Sequence, residues 1–412
     1  MRTLELVSLL VATAAVFGWL SVRVLRVPIT IGTMLLTVIV SLVLANLGPL
    51  APGVHSWAEQ LANQIDFEDV ILRGMLPLLL FAGAFLLDLD QLAREKLPVA
   101  LLAVPGTVIT FLSVAGLMKL LMGAHASWME CLIFGAVISP TDPVAVLEML
   151  RRVGISKSIE SQLAGESLFN DGIGAVLFLT MIAIARGAAP TAWSVGWLLL
   201  LQAGGAILLG IAAAWITSQL MCRVLSYQID ILLSLSLALG GYVLAANWRL
   251  SAPLEAVVAG LALRHFNRKQ PQGRIADDRL DEFWTMTDEV QNSLLFVLLG
   301  LEVISVTLNP LSIRAGGSAI VAANLVRFAV VAVCALIIHL CQKQRRRAVF
   351  LMTWGGLRGG ISIALALSIP PAIGGSWILG ATYLVVVFSI LVQGGSMHVM
   401  MTRRTRQDVA HV

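Results

Sequence analysis

The chain has 412 residues, of which 58% are hydrophobic and only 13% charged, and its mean hydropathy is +0.89. A soluble chain of this length carries about a quarter charged residues, so water is excluded as the solvent for most of this one. The net charge of +4 sits in short stretches between long apolar runs. That pattern marks membrane topology and not a nucleic-acid footprint.

The first apolar run, 4–22, has only Arg2 before it, whereas Arg23 and Arg26 follow. A secretory signal carries its positive charge in front, so the run is read as a first membrane span entering from outside. Runs able to cross a hydrocarbon core of ~30 Å recur at 29–47, 70–87, 97–121, 128–149, 159–185, 193–220, 229–246, 252–265, 286–307, 318–340, 347–369 and 377–399. They predict an all-α integral membrane protein with thirteen transmembrane helices.

Loop charges agree with this count. With the N-terminus outside and a crossing at every span, twenty of the 28 Lys and Arg residues fall inside and six outside. Arg327 and Arg358 lie within spans. The split follows the positive-inside rule and puts the C-terminus in the cytoplasm of a plasma (inner) membrane protein. No soluble domain interrupts the array. The polar connection from Arg264 to about Asp288 is read as partly helical along the membrane surface, and 400–412 as a short basic tail. The cysteines form no CxxC pair and the six histidines no HExxH cluster, so neither a resident metal nor a cofactor is expected.

The fifth span reads FGAVISPTDPVAVLEML. Pro140 and Pro143 flank Thr141 and Asp142, removing two backbone donors and breaking the helix at mid-membrane depth. Irregular backbone is tolerated there only where it is buried in protein or lines a cavity. The sixth span reads AGESLFNDGIGAV. Glu166 and Asn170 are four residues apart, as are Ser167 and Asp171, so each pair stacks on a helix face. Ionisable groups inside a bilayer are expensive and mark function. Hard monovalent cations replace lost water with such carboxylate, amide and hydroxyl oxygens, and an Asp releases the cation by taking a proton. Gly165, Gly172 and Gly174 allow a neighbouring helix to approach closely.

The twelfth span reads MTWGGLRGGISIALAL, with four glycines in the six residues 355–360 bracketing Arg358. This second interruption lies seven spans after the first, so the two broken helices run in opposite directions. That is the mark of two inverted six-helix repeats, spans 1–6 and 8–13, with discontinuous helices crossing near the midplane. At the crossing Asp142 is placed to neutralise positive helix ends and Arg358 negative ones. Arg327, alone in the eleventh span, needs an acidic partner, and Glu166 is the best candidate.

These motifs carry a resemblance. SPTDPVAV (139–146), GESLFNDG (165–172), FVLLGLEV (296–303), GGLRGG (355–360) and VVVFSILVQG (385–394) stand in order along essentially the whole chain. The chain resembles the monovalent cation/proton antiporters of the NhaP and eukaryotic Na⁺/H⁺ exchanger type. The resemblance implies one transmembrane transport domain with scaffold helices (1–90 and 193–307), a mobile core (97–185 and 318–399), homodimers and an elevator-like movement. It implies that Asp171 is the essential ion-binding carboxylate, with Asn170, Asp142, Thr141 and Ser167 around the ion. Glu166 and Arg327 match a core salt bridge, and Arg358 the arginine at the helix crossing. An Asn-Asp pair implies electroneutral one-for-one exchange. One departure is Ala82, where many prokaryotic relatives carry an acid.

The expected function is therefore secondary transport, not enzymatic, exchanging Na⁺ or Li⁺ for H⁺ with no cofactor. K⁺/H⁺ exchange on the same fold and a cation channel are the alternatives. An intramembrane hydrolase is disfavoured, because Ser167 has no mid-span histidine: His339 and His398 lie near span ends.

Overall fold

A chain removed from water must satisfy its backbone N–H and C=O groups within its own segments, and the apolar runs do so as helices. The computed structural model describes residues 3–46, 53, 66–67, 69–153, 157–187, 192–224, 226–268, 273–304, 306, 309–339, 346–370, 372–373 and 375–397. The expected basic tail, 400–412, lies outside them. Among the described residues there are helices and no strand.

In chain order these are α1 (Thr3–Leu20), α2 (Ile29–Asn46), α3 (Leu76–Phe85), the short α4 (Leu89–Arg94) and α5, which begins at Lys96–Leu101 and resumes as Thr107–Met122. Next come α6 (Trp128–Ile138), α7 (Val144–Val153), α8 (Lys157–Ala185), α9 (Ala192–Met221), α10 (Tyr227–Asn247) and α11 (Ala252–Arg268). The last are α12 (Gly273–Leu301), α13 (Pro310–His339), α14 (Arg346–Trp354), α15 (Gly360–Leu367) and α16 (Ile378–Val387). Wider π-type turns extend α1 over Ser21–Leu25, precede α3 over Asp69–Met75, join the halves of α5 over Leu102–Gly106 and extend α16 over Phe388–Gly394. In α5 the widening contains Pro105, which lacks the N–H that a regular turn needs.

Several helix starts are written locally. Ser127 and Glu130 form a reciprocal capping box at α6, with N–H···O distances of 3.1 and 2.7 Å. Asp88 accepts from the backbone of Asp90 and Gln91 to start α4, and Asn309 accepts from Ser312 at 2.7 Å to start α13.

Seven helices among the described residues are long and apolar enough to cross a membrane: Leu4–Leu25, Lys96–His125, Lys157–Ala185, Leu200–Met221, Tyr227–Asn247, Pro310–Ile337 and Ile378–Met397. Broken or charge-bearing segments, such as α6 with α7, α14 with α15, and α11, fall short of that measure for the reason that makes them notable. Large apolar side chains including Trp19, Leu200, Leu208, Leu232 and Phe328 face outward. That is the inverse of a water-facing surface.

Two sets of helices pack together. In one, α1 lies on α2, α2 on α12, α12 on α3, α3 on α11, and α11 on α9 and α10. In the other, α5 lies on α6 and α13, α13 on α16, α16 on α15, and α6 on α8. Between the sets the broadest contact is α8 against α11. In the polar stretch read as partly helical, the described residues are helical, with α11 running to Arg268 and α12 beginning at Gly273. The Arg264 guanidinium at the end of α11 grips Asp281 of α12 through bonds of 2.6 and 2.9 Å. Trp284 anchors that half of α12 against Phe81, at 4.7 Å between ring centroids. Tertiary anchors of this kind let a polar segment continue as helix into the apolar half.

Candidate ion-binding site

Both interruptions are present where Pro and Gly break the helical pattern. The chain leaves helical geometry between α6 and α7 at 139–143 and between α14 and α15 at 355–359. The two breaks lie against each other. The backbone N–H of Asp142 donates to the Leu357 carbonyl at 2.8 Å. A methyl group on Gly359 would collide with the Asp142 carboxylate, so only glycine admits this approach.

Charge placement follows the exposed helix ends. Arg358, 3% exposed, donates from Nη1 to the carbonyls of Ser139 and Pro140 at 2.9 and 2.8 Å, where α6 ends with unsatisfied acceptors. The Asp142 carboxylate accepts from the Val144 N–H at 3.0 Å, where α7 begins with unsatisfied donors. Each charge therefore meets the helix dipole of opposite sign.

Helix α8 supplies the facing wall. Gly174 brings it onto the break: a Cβ there would come within 2.5 Å of Pro140 Cγ. Four polar side chains of α8 are buried at this level, Glu166, Ser167, Asn170 and Asp171. Asn170 accepts from the Thr141 N–H at 3.2 Å and donates from Nδ2 to Thr141 Oγ1 at 2.6 Å. Ser167 Oγ donates to the Thr141 carbonyl at 2.6 Å. Thr141, 4% exposed, is thus held on three sides. Asp171, 7% exposed, makes no hydrogen bond to another described residue. Carbonyl, hydroxyl and amide oxygens thus gather at Thr141, with the Asp171 carboxylate next along α8 from Asn170.

One turn before Asn170 on α8, Glu166 meets Arg327 of α13. The Arg327 guanidinium pairs with both carboxylate oxygens of Glu166, with Nη2 to Oε2 at 2.9 Å, and both side chains are buried. Arg327 also donates to the Met352 carbonyl from Nη2 at 2.9 Å, which ties α13, α8 and α14 together. Ala82 is fully buried in an apolar cluster with Phe81, Phe85, Ala259, Leu263 and Trp284. Its surroundings are those of a packing residue.

Three buried acids stand outside the site residues that the sequence singles out: Glu255, Glu302 and Asp230, the last in the first turn of α10, 5% exposed and with Oδ1 unpartnered among the described residues. Glu255 of α11 has both carboxylate oxygens buried without a hydrogen-bond partner among the described residues, pressed against Gly241 of α10. Glu302, just past the end of α12, is 3% exposed with Oε2 unpartnered among the described residues. Each lies inside an apolar run, and Glu302 also within the FVLLGLEV motif, which is the signal the sequence holds for it.

Comparison with known proteins bears on the family and the fold. Residues 11–403 match the family model described as the transmembrane region of sodium/hydrogen exchangers. The Na⁺/H⁺ antiporter NhaP of Pseudomonas aeruginosa is 36% identical over 413 residues, covering 97% of this chain and 96% of its own. Sodium/hydrogen exchanger 7 of Arabidopsis thaliana is 30% identical over 382 residues, 88% of this chain and 33% of the longer plant protein. The solved structure of the sodium proton antiporter MjNhaP1 from Methanocaldococcus jannaschii shares the fold, with a TM-score of 0.71 at 18% identity over 98% of this chain and 99% of that one. A family match over nearly the whole length, joined to a full-length relative at this identity, places the chain in the transmembrane sodium/hydrogen exchanger family.

Proposed function

We propose that the protein is a secondary transporter that exchanges Na⁺, or Li⁺, for H⁺ across the plasma (inner) membrane, without a cofactor, by competition of the two ions for Asp171. The observation that carries this reading is a buried carboxylate with no hydrogen-bond partner among the described residues, on the helix wall that faces the meeting of two broken helices. The names of the sodium/proton antiporters among its relatives support the same cation.

On one face of the membrane Asp171 is ionised and takes Na⁺, with the Thr141 carbonyl, Ser167, Asn170 and Asp142 supplying the remaining oxygens. On the other face a proton displaces the cation. An unneutralised carboxylate crossing the barrier meets a penalty of about 2.5–3.5 kcal/mol or more, so the site changes face only when occupied by one of the two ions. Asn170 carries no charge, and Asp142 stays committed to the start of α7. One Na⁺ therefore replaces one H⁺ and the exchange is electroneutral.

The architecture that serves this cycle has thirteen spans in two inverted six-helix repeats, with the N-terminus outside and the C-terminus cytoplasmic. The core (97–185 and 318–399) moves against a scaffold (1–90 and 193–307), through which two copies form a homodimer. The separate packing of α5–α8 with α13–α16, and of α1–α3 with α9–α12, supports that division.

The donor set does not itself separate Na⁺, Li⁺ and K⁺, because selectivity lies in cavity size and dehydration. Purified protein in liposomes carrying a trapped pH dye tests the reading. Saturable proton movement driven by Na⁺ or Li⁺ is expected. A response to K⁺ alone would assign K⁺/H⁺ exchange instead, and a cation current without coupled protons would make the protein a channel.

A further inference from the structure

A cavity of about 790 Å³ opens at the seam between the two helix sets, within the ~300–1,000 Å³ range of sites that accept apolar ligands. One wall is α4 and the start of α5, including Leu92 and Val99, with Phe169 of α8. The other is Val258 and Phe266 of α11, with Ile211 of α9. The lining is apolar except at one end, where Lys96 and His265 stand exposed. Lys96 has no ion-pair partner among the described residues. On the proposed topology this end faces the cytoplasm.

We infer that this cavity is a binding site for an anionic phospholipid, one acyl chain filling the seam and the headgroup phosphate resting on Lys96 at the mouth beside His265. Charge complementarity argues for this occupant. Basic pockets between transmembrane helices on the cytoplasmic side suit anionic headgroups, and an apolar slot open to the bilayer suits the attached chain. A neutral lipid would leave the Lys96 ammonium unpaired, and a water-soluble anion would leave the apolar walls uncovered. The inference rests on the proposed core and scaffold for its consequence. Because the walls belong to both, a bound lipid favours the arrangement in which they line one cavity and slows the movement that parts them.

The test uses the full-length protein purified in detergent, with native mass spectrometry to count retained phosphatidylglycerol and phosphatidylcholine of matched chains. The wild type is expected to prefer phosphatidylglycerol on the order of five-fold, the weight of one basic residue near a headgroup. Lys96→Ala should erase the preference while retaining lipid, and Ala100→Trp, which fills the slot, should reduce retention of both. Equal retention of the two lipids by the wild type would overturn the inference, as would an undiminished preference in both variants. Displacement of phosphatidylglycerol by equimolar palmitate would replace the phospholipid with a fatty acid. Binding is read without an ion gradient, so its failure leaves the exchange reading standing, and failure of exchange leaves the lipid count unchanged.

Discussion

Asn170 grips Thr141 from two directions, accepting from its backbone N–H at 3.2 Å and donating to its hydroxyl at 2.6 Å. An aspartate in this place keeps the acceptor, loses the donor and adds a charge beside Asp171. Wild-type exchange is expected to run at the same rate under an imposed membrane potential of either sign. Asn170→Asp should respond to that potential. Initial rates in liposomes clamped with K⁺ and valinomycin check both.

Ser167→Ala removes the hydroxyl that orients the Thr141 carbonyl. A buried hydrogen bond contributes about 1–1.5 kcal/mol, so the apparent KM for the cation should rise roughly five- to tenfold. The maximal rate should change much less, because the charge that must be neutralised remains. Rates measured against Na⁺ concentration at fixed pH separate the two parameters.

Glu166 and Arg327 are both buried, and removing one leaves the other charged without a partner. Arg327→Ala or Glu166→Ala should each destabilise by about 3–5 kcal/mol. The double substitution should be milder than the sum, since no orphan charge is left. Thermal melting of detergent-solubilised protein, followed by the fraction that stays monodisperse, reports the order.

Much of this arrangement is legible in the sequence. Prolines around Thr141 and Asp142, and glycines around Arg358, are local rules of backbone chemistry, and they place both breaks correctly. The four polar residues of α8 were legible because lipid forbids them without a reason. What stayed hidden depends on tertiary partners. The grip of Arg264 on Asp281 and the tilted contact of Trp284 with Phe81 hold the polar half of α12 against its neighbours, and no local motif announces either. Glu255 is a lone acid in a short span, with no motif to announce it. Its burial against Gly241 comes from the crossing of α10 and α11.

Gly359→Ala drives a methyl group into the Asp142 carboxylate, and transport should be lost. Gly317 of α13 meets nothing within 4 Å, so Gly317→Ala should keep full exchange. It should also gain up to about 1 kcal/mol of stability from helix propensity. Proton-flux assays on the two variants side by side distinguish close approach from a general intolerance of substitution.

Asp90 and Arg268 pair at 2.6 Å outside the spans, and the bonded guanidinium holds the Asp90 carboxyl below the usual carboxylate range. A lowered value means that the pair's stabilisation is present above the ordinary carboxylate titration near about pH 4 and is lost as pH falls below it. Asp90→Asn should therefore leave the shape of the transport profile unchanged between about pH 5.5 and 9. Profiles of the variant and the wild type, normalised to their maxima, test this.

The competition at Asp171 is most directly tested by comparing Asp171→Asn with the wild type in proteoliposomes, following proton movement as a Na⁺ gradient is applied and then reversed. The expected result is reciprocal Na⁺ and H⁺ movement in the wild type and none in the variant, with the variant still folded by thermal melting. Cation-driven proton exchange retained by Asp171→Asn would contradict it.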